Sequence, residues 1–370
     1  MIEQNKAFYQ PDKVSAPGET LLDILEEREM SQVELSERIG RPLKTINEII
    51  KGKAAITSET AIQLERALGT PAEFWNTREA NYRAYIASQK ELELLSNYND
   101  WLKQFPIKEM IKRGWINGSK NVLEQTIYLL NFFGVATPEQ WNTGWTKRKL
   151  AFRKAGNVNN DIGGLSVWLR KGEIEAQKIQ CNPFNKELLL SSIAQIKSLT
   201  LEKDPSVFIP KLQNICAACG IAIVFIQPFP KVPAYGASCW LSPNKASIQL
   251  SLRGKTADIL WFTIFHELGH IIKHSKKELF IEIDDKCKSK SPEEIEADEY
   301  ANETLIPQSC LQKWLSKNES LTTNAIIEFS KELNIAPGII VGRLQYLGKI
   351  KYSEHTQLKI RYEWQDTPNN

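Results

Sequence analysis

His266, Glu267 and His270 stand in the pentapeptide HELGH, an H-E-x-x-H pattern. The apolar run that holds it, Ile259 to Ile272 (ILWFTIFHELGHII), has helical length and contains no proline. Positions i and i+4 of a helix share a face, so His266 and His270 are expected to present two imidazoles to one metal ion. Glu267 lies beside them as a carboxylate able to take a proton from water at that ion. Zinc is the ion that this donor set suits. The chain has only four histidines, and three of them, His266, His270 and His274, fall within nine residues. The alternative is two core histidines and a helix carboxylate. It requires three polar groups on an apolar helix to find separate partners.

Two histidines leave a catalytic zinc site one protein ligand short. The acidic stretch PEEIEADEYANETLIP supplies candidates, since Glu294, Ala297, Asp298 and Ala301 share a face at helical spacing. The two alanines let that face approach another helix closely. Glu294 is then placed to be the third ligand, and Asp298, one turn on, to accept the second N–H of a ligand histidine. Glu294 also stands three residues after Ser291, so a capping box is its competing role. Glu293, Glu296 and Glu299 are rival carboxylates, of which Glu296 and Glu299 fall on the expected solvated face. Helix geometry rotates His274 off the His266/His270 face, toward solvent or substrate. An oxyanion would need a further donor, with Tyr235, His274 and Tyr300 as candidates.

The other chemistry in the chain is recognition. Residues 18–90 read as closely spaced short helices: Glu19 to about Glu29, one capped by Ser31 and ended by Gly40, one from Pro42 to Ile50, one over Ser58–Leu68, and a longer one opened by Thr70-Pro71-Ala72-Glu73. The second and third, joined at Gly40-Arg41, fit a helix-turn-helix. Val33, Leu35, Ile39, Leu43, Ile46, Ile49 and Ile50 are its expected core. Lys44, Thr45, Asn47 and Glu48 remain exposed on the third helix, able to reach base edges or phosphates, with Gln32 placed against the backbone. Over residues 38–53, Arg38, Arg41, Lys44, Lys51 and Lys53 face only Glu48, a local excess of positive charge. A protein-binding helical domain without DNA contact is the competing reading.

The net charge of the whole chain, +3, is too small to argue for nucleic acid, and 42% apolar with 25% charged residues is ordinary for a soluble protein. A chain of 370 residues suggests two or three domains. The absence of a long uncharged apolar run and of a hydrophobic leader core sets the expectations of no membrane span and a cytoplasmic location. The six cysteines are scattered, and the lone C-x-x-C of Cys216 and Cys219 reads as reduced structural thiols. Residues 1–90 are expected to form the helix-turn-helix domain, 91–165 a helical connector with tryptophans at 101, 115, 141 and 145, and 166–370 the metal domain. In the last, GIAIVFIQ (220–227) and ASIQLSL (246–252) read as strands. Two further helices are expected near 324–333 and 337–346.

The segment from PGETLLDILEEREMSQVELSERIGRPLKTINEIIKG to ALGTPAEFW resembles XRE/Cro-like repressors and, more closely, HigA-type antitoxins. HELGH followed by E-x-x-A-D-x-Y-A-x-x-T-L-I-P resembles the ImmA/IrrE family of zinc metallopeptidases, in which the third ligand maps to Glu294. That resemblance implies that ASIQLSL lies beside the cleft with an edge open to an extended peptide. These resemblances imply a mainly α protein with a small α+β domain: a five-helix lambda-repressor-like domain, a helical connector and a zincin-like domain. They imply a homodimer on a palindromic operator, contacts from Gln32, Lys44, Thr45 and Asn47, and zinc-dependent cleavage of a regulatory partner protein. The alternative is a HigA-like autorepressor whose metal-binding half senses a signal or holds a toxin without proteolysis.

Overall fold

The computed structural model describes residues 14–144, 162–276, 279–283, 291–318 and 320–365. Trp145 and the remainder of the segment 145–161 lie outside the described residues. The chain is mainly helical with one small mixed sheet, and it divides into two compact units, Met1–Tyr98 and Asn99–Asn370.

The first unit is built from α1 (Pro17–Glu27), α2 (Gln32–Ile39), α3 (Leu43–Ile50), α4 (Ser58–Leu68) and α5 (Ala72–Leu95). The caps set these boundaries. Ser31 Oγ accepts from the Glu34 amide at 3.1 Å, and Gly40 ends α2 in the left-handed region at φ 64°. Thr57 caps α4, and Pro71, rather than Thr70, occupies the N-cap position of α5. Leu35, Ile39, Ile46 and Ile49 join Leu21, Leu25, Leu64 and Trp75 in the core. Val33 and Leu43 do not, being 51% and 38% exposed, and Ile50 is only partly buried. Val33 stands about 200° around α2 from Leu35, so one short helix cannot bury both. Buried Glu79 of α5 ties the unit together: its carboxylate accepts from the Ile56 amide at 3.1 Å and pairs with Arg83 at 2.6 Å.

In the second unit, residues 99–144 form short helices around a ring cluster in which Trp141 meets Trp101 and Phe105 edge-on, at 6.0 and 4.9 Å. This cluster packs on α6 (Ile162–Lys178), where Arg170 Nε donates to the Phe132 carbonyl at 3.0 Å. Next come α7 (Lys186–Ser198) and α8 (Pro205–Ala218), then strands β1 (Ile221–Phe225), β2 (Ala234–Ser242) and β3 (Lys245–Leu250). The long helix α9 (Ala257–Lys273) carries HELGH. It is followed by β4 (Phe280–Ile283), α10 (Pro292–Leu305), α11 (Gln308–Lys317), α12 (Thr323–Leu333) and α13 (Pro337–Tyr346). The strand order is β1-β3-β2-β4, with β1 parallel to β3 and the other pairs antiparallel.

Two strands, β2 and β4, and the helices α6, α7 and α11 are not legible in the sequence reading. The expectation that β3 offers an open edge is overturned: β3 is paired on both sides, by β1 and β2, and β4 is the edge strand at the HELGH end of the sheet. Cys216 and Cys219 are buried thiols, and burial pushes both pKa values up.

Candidate metal centre and helix-turn-helix

Helix α9 is core along nearly its whole length, so His266, Glu267 and His270 are fully buried. Helix α10 lies across it at close range. A Cβ built on Gly269 would come within 3.3 Å of the Ala297 Cα, so the glycine of HELGH and the small face of α10 set the separation of the two helices. That separation brings the side chain of Glu294 to the two histidines. Its Oε2 lies 3.1 Å from His266 Nε2 and its Oε1 lies 3.5 Å from His270 Nε2, while the two Nε2 atoms are 3.0 Å apart. Ser291 does cap α10, its Oγ accepting from the Glu294 amide at 3.3 Å. The backbone of Glu294 thus serves the cap while its carboxylate faces the histidines.

The outer ring nitrogens determine where the protons sit. Asp298 Oδ1 is 3.0 Å from His266 Nδ1, so that nitrogen carries a hydrogen, and Nε2 is bare whenever the ring is neutral. His274 Nε2 donates to Glu296 Oε2 at 3.2 Å, so His274 Nδ1 is an acceptor, and it takes the Nδ1–H of His270 at 2.9 Å. The Nε2 of His270 is then bare too. The lone pairs of two imidazoles and a carboxylate are thus turned toward one point, an arrangement that favours a cation, whether proton or metal, among them. Four ligands about 2.0–2.1 Å from a tetrahedral zinc stand about 3.3 Å from one another, close to the spacings observed. The residues present fit zinc.

The cluster gathers positive charge strongly. Burial works to lower the pKa of His266, but Glu282, Asp298 and Glu294 outweigh it and hold the imidazole well above its ordinary range. Glu294 is held far below the usual carboxylate range, its burial overcome by His266 and His270. Burial lowers His270. Glu267 is pushed up to about 8, by burial first and then by Glu282 and Glu294, against the pull of His266. Both of its carboxylate oxygens are buried, and the Ser238 hydroxyl beside them draws the pKa down against that burial. Gly236 of β2 makes room for that carboxylate, since a Cβ there would come within 2.7 Å of Glu267 Oε1 and of the Thr263 methyl.

Three features were missed from the sequence. His274 turns toward His270 rather than to solvent, and Glu296 is its partner rather than part of a purely solvated face. Phe280 of β4 stacks on His270, with ring centroids 4.1 Å apart. Glu282, two residues on and on the same side of the strand, brings an oxygen within 4.8 Å of ligand atoms of both His266 and Glu267. A lone acid in the apolar run Phe280-Ile281-Glu282-Ile283 was the signal available for it. Of the proposed oxyanion donors, His274 is engaged as described, Tyr300 is hydrogen-bonded with Thr304, and Tyr235 belongs to β2 and borders a cavity beside the centre.

In the first unit, Lys44 is exposed on α3, with Glu48 3.9 Å away, and Thr45 is half-buried. Asn47 Nδ2 donates to the Leu43 carbonyl at 3.0 Å, and Gln32 opens α2 half-buried. The local positive charge is less free than the sequence suggests. Arg38 pairs with Glu34 at 2.6 Å, and Arg41 is held by Glu59 and Gln63 at 3.1 and 2.9 Å. Lys44, Lys51 and Lys53 remain exposed.

Fold and site together define a helix-turn-helix unit in one chain with a mixed-sheet unit built around an H-E-x-x-H helix. Residues 21–75 match the Helix-turn-helix family, and residues 224–343 match the IrrE N-terminal-like domain of peptidase family M78. Those two stretches belong to these families. Among solved structures, the chain is similar to Pseudomonas aeruginosa antitoxin HigA with the higBA promoter, at 30% identity over 22% of this chain and 92% of that one, TM-score 0.20. It is also similar to an addiction module antidote protein of the HigA family from Coxiella burnetii, at 27% identity over 22% of this chain and 91% of that one, TM-score 0.21. No curated protein matches the chain. No helix among the described residues is long and apolar enough to cross a membrane.

Proposed function

We propose that this protein is a DNA-binding transcription regulator whose second unit is a zinc-dependent endopeptidase that cuts a regulatory partner protein. The observation that carries the enzymatic half is the convergence of two imidazole Nε2 atoms and the Glu294 carboxylate, with the buried carboxylate of Glu267 beside them. His266, His270 and Glu294 would hold the zinc, and Asp298 and His274 would fix the ring orientations by accepting the outer N–H groups. When bound, zinc polarises a carbonyl and makes water a nucleophile near neutral pH. Glu267 takes the proton of the attacking water and returns it to the leaving amine nitrogen. Burial raises its pKa, and positive charge at the neighbouring ligands lowers it again, which keeps the carboxylate form available to take the proton. Phe280 and the apolar face of α9 keep bulk water from the acceptor cluster.

For the first unit, the helix-turn-helix match and exposed Lys44 on α3 support major-groove reading, with Gln32, Thr45 and Asn47 as further contacts. A homodimer on a palindromic operator follows from the symmetry such units use. Asn47 would have to release the Leu43 carbonyl to reach a base.

The deciding experiment incubates the zinc-loaded chain with the product of the neighbouring gene, in parallel with Glu267→Gln. We expect the variant to keep its zinc and to cleave about 100-fold or more slowly. Equal cleavage by the variant would remove Glu267 from the mechanism. A zinc-loaded wild type that binds its partner intact would favour the antitoxin-like alternative.

A further inference from the structure

A cavity of about 380 Å³ lies beside the metal centre, walled by α9, α10 and α13 with residues of β2 and β4. It adjoins the centre through Glu282, which stands within 4.8 Å of His266 and Glu267 ligand atoms, and Asp298, which bonds His266. Phe262, Ile306, Ile339 and Tyr346 make much of its wall apolar. Its charged groups are unbalanced: Asp258, Glu282 and Asp298 against Arg343. Two of the acids are engaged within the fold. Asp258 pairs with Lys359 at 2.7 Å, and Asp298 accepts from His266. Glu282 is bonded by Thr263, but its Oε2, like Asp258 Oδ1, is buried with no hydrogen-bond partner among the described residues, and of the two acids it is Glu282 that stands at the His266 and Glu267 cluster. A shielded carboxylate oxygen without a donor is costly to keep, and a cationic group is what would satisfy it.

Position decides which cation. Glu282 shares its cluster with His266 and Glu267, the residues between which the scissile carbonyl must lie in the peptidase reading. A group that reaches Glu282 therefore belongs to a substrate residue adjoining the cut bond. We propose that Glu282 is a specificity-determining residue that binds a substrate ammonium or guanidinium at that residue, while the apolar wall takes the aliphatic part. Two sources share this chemistry. A Lys or Arg side chain would lay its stem along Phe262 and Tyr346, and a free α-ammonium would meet Glu282 directly and leave the cavity to the side chain.

The inference rests on the peptidase reading for the placement of substrate, but its test measures binding and not cleavage. The full chain, with zinc content measured, is titrated by ligand-observed NMR with four compounds: N-acetyl-lysine amide, N-acetyl-arginine amide, norleucine amide with a free α-amine, and N-acetyl-norleucine amide. We expect at least one cationic compound to bind about tenfold or more tighter than N-acetyl-norleucine amide. If the acetylated basic amides lead, the side chain is the source; if norleucine amide leads, it is the amino terminus. Glu282→Gln should abolish the preference with zinc content and melting temperature retained. Equal binding of all four compounds by the wild type, no binding by any, or a preference that survives Glu282→Gln would overturn the assignment. The wild-type series stands by itself should the variant not fold. Failure to cleave the partner protein, with the cationic preference intact, would count against the peptidase reading alone.

Discussion

Two imidazole Nε2 atoms lie 3.0 Å apart, a spacing that a cation between them relieves, and the outer partners on the Nδ1 atoms are what turn both Nε2 atoms to the same point. Asp298 was legible from the spacing of α10. His274 was not, because a helical wheel assumes that the helix continues. At His274 the backbone leaves the helix for an extended conformation, φ −108° and ψ 173°, and swings the ring back onto His270. His274→Ala should therefore weaken zinc binding by about tenfold or more while leaving the three ligands in place, measured by competition with a chromogenic chelator. An unchanged zinc affinity would make the His270–His274–Glu296 chain incidental. Affinity should also fall as pH drops from neutral toward 5, because a proton on either Nε2 competes directly for the lone pair that binds the metal. A pH-independent affinity across that range would remove His266 and His270 from the ligand set.

At the scale of elements, a strand without obvious strand composition makes room for Glu267. Strand β2, AYGASCWLS, carries no Val or Ile, and it is ordered by partners on both sides rather than by its own propensity. Its Gly236 lies against Glu267, and no reading of β2 alone could reveal that contact. Gly236→Ala should displace the carboxylate, lower cleavage of the partner protein sharply, and cost about 1–3 kcal/mol in stability by overpacking. Kinetics and denaturant melts of the same sample check both, and wild-type turnover in the variant would mean that Glu267 does not need that space. The helices were easier to anticipate. Ser31, Gly40, Thr57 and Gly69 act locally, so α2 and α4 begin and end close to where their caps predict. The burial of Val33 and Leu43 was misjudged because apolar character marks only a potential core face, and the packing partner selects which part of it is covered.

At the scale of the molecule, one hydrophobic core among the described residues gathers around Leu21, Leu35, Ile46 and Trp75, and another around Phe208, Ile248, Trp261 and Ile340. Only the second surrounds the metal centre. Chelation should therefore lower the melting temperature of the transition that belongs to Asn99–Asn370 and leave that of Met1–Tyr98 in place, since a ligand stabilises only the unit that binds it. Calorimetry with and without chelator makes the comparison, and a shift in both transitions would show that metal occupancy is felt by the helix-turn-helix.

What the sequence determined by itself was local: the caps and left-handed glycines that divide the first unit into short helices, and the i, i+4 geometry that places His266 and His270 together. These depend on interactions within a few residues along the chain. The tertiary structure alone decided the rest. It turned the Glu294 carboxylate from its own helix cap to the two histidines, put β3 inside the sheet, folded His274 back, and set Glu282 of the short edge strand beside Glu267. Each of these joins residues distant in sequence. Their proximity comes from the close approach of α10 to α9 and from strand pairing, neither of which composition or periodicity encodes.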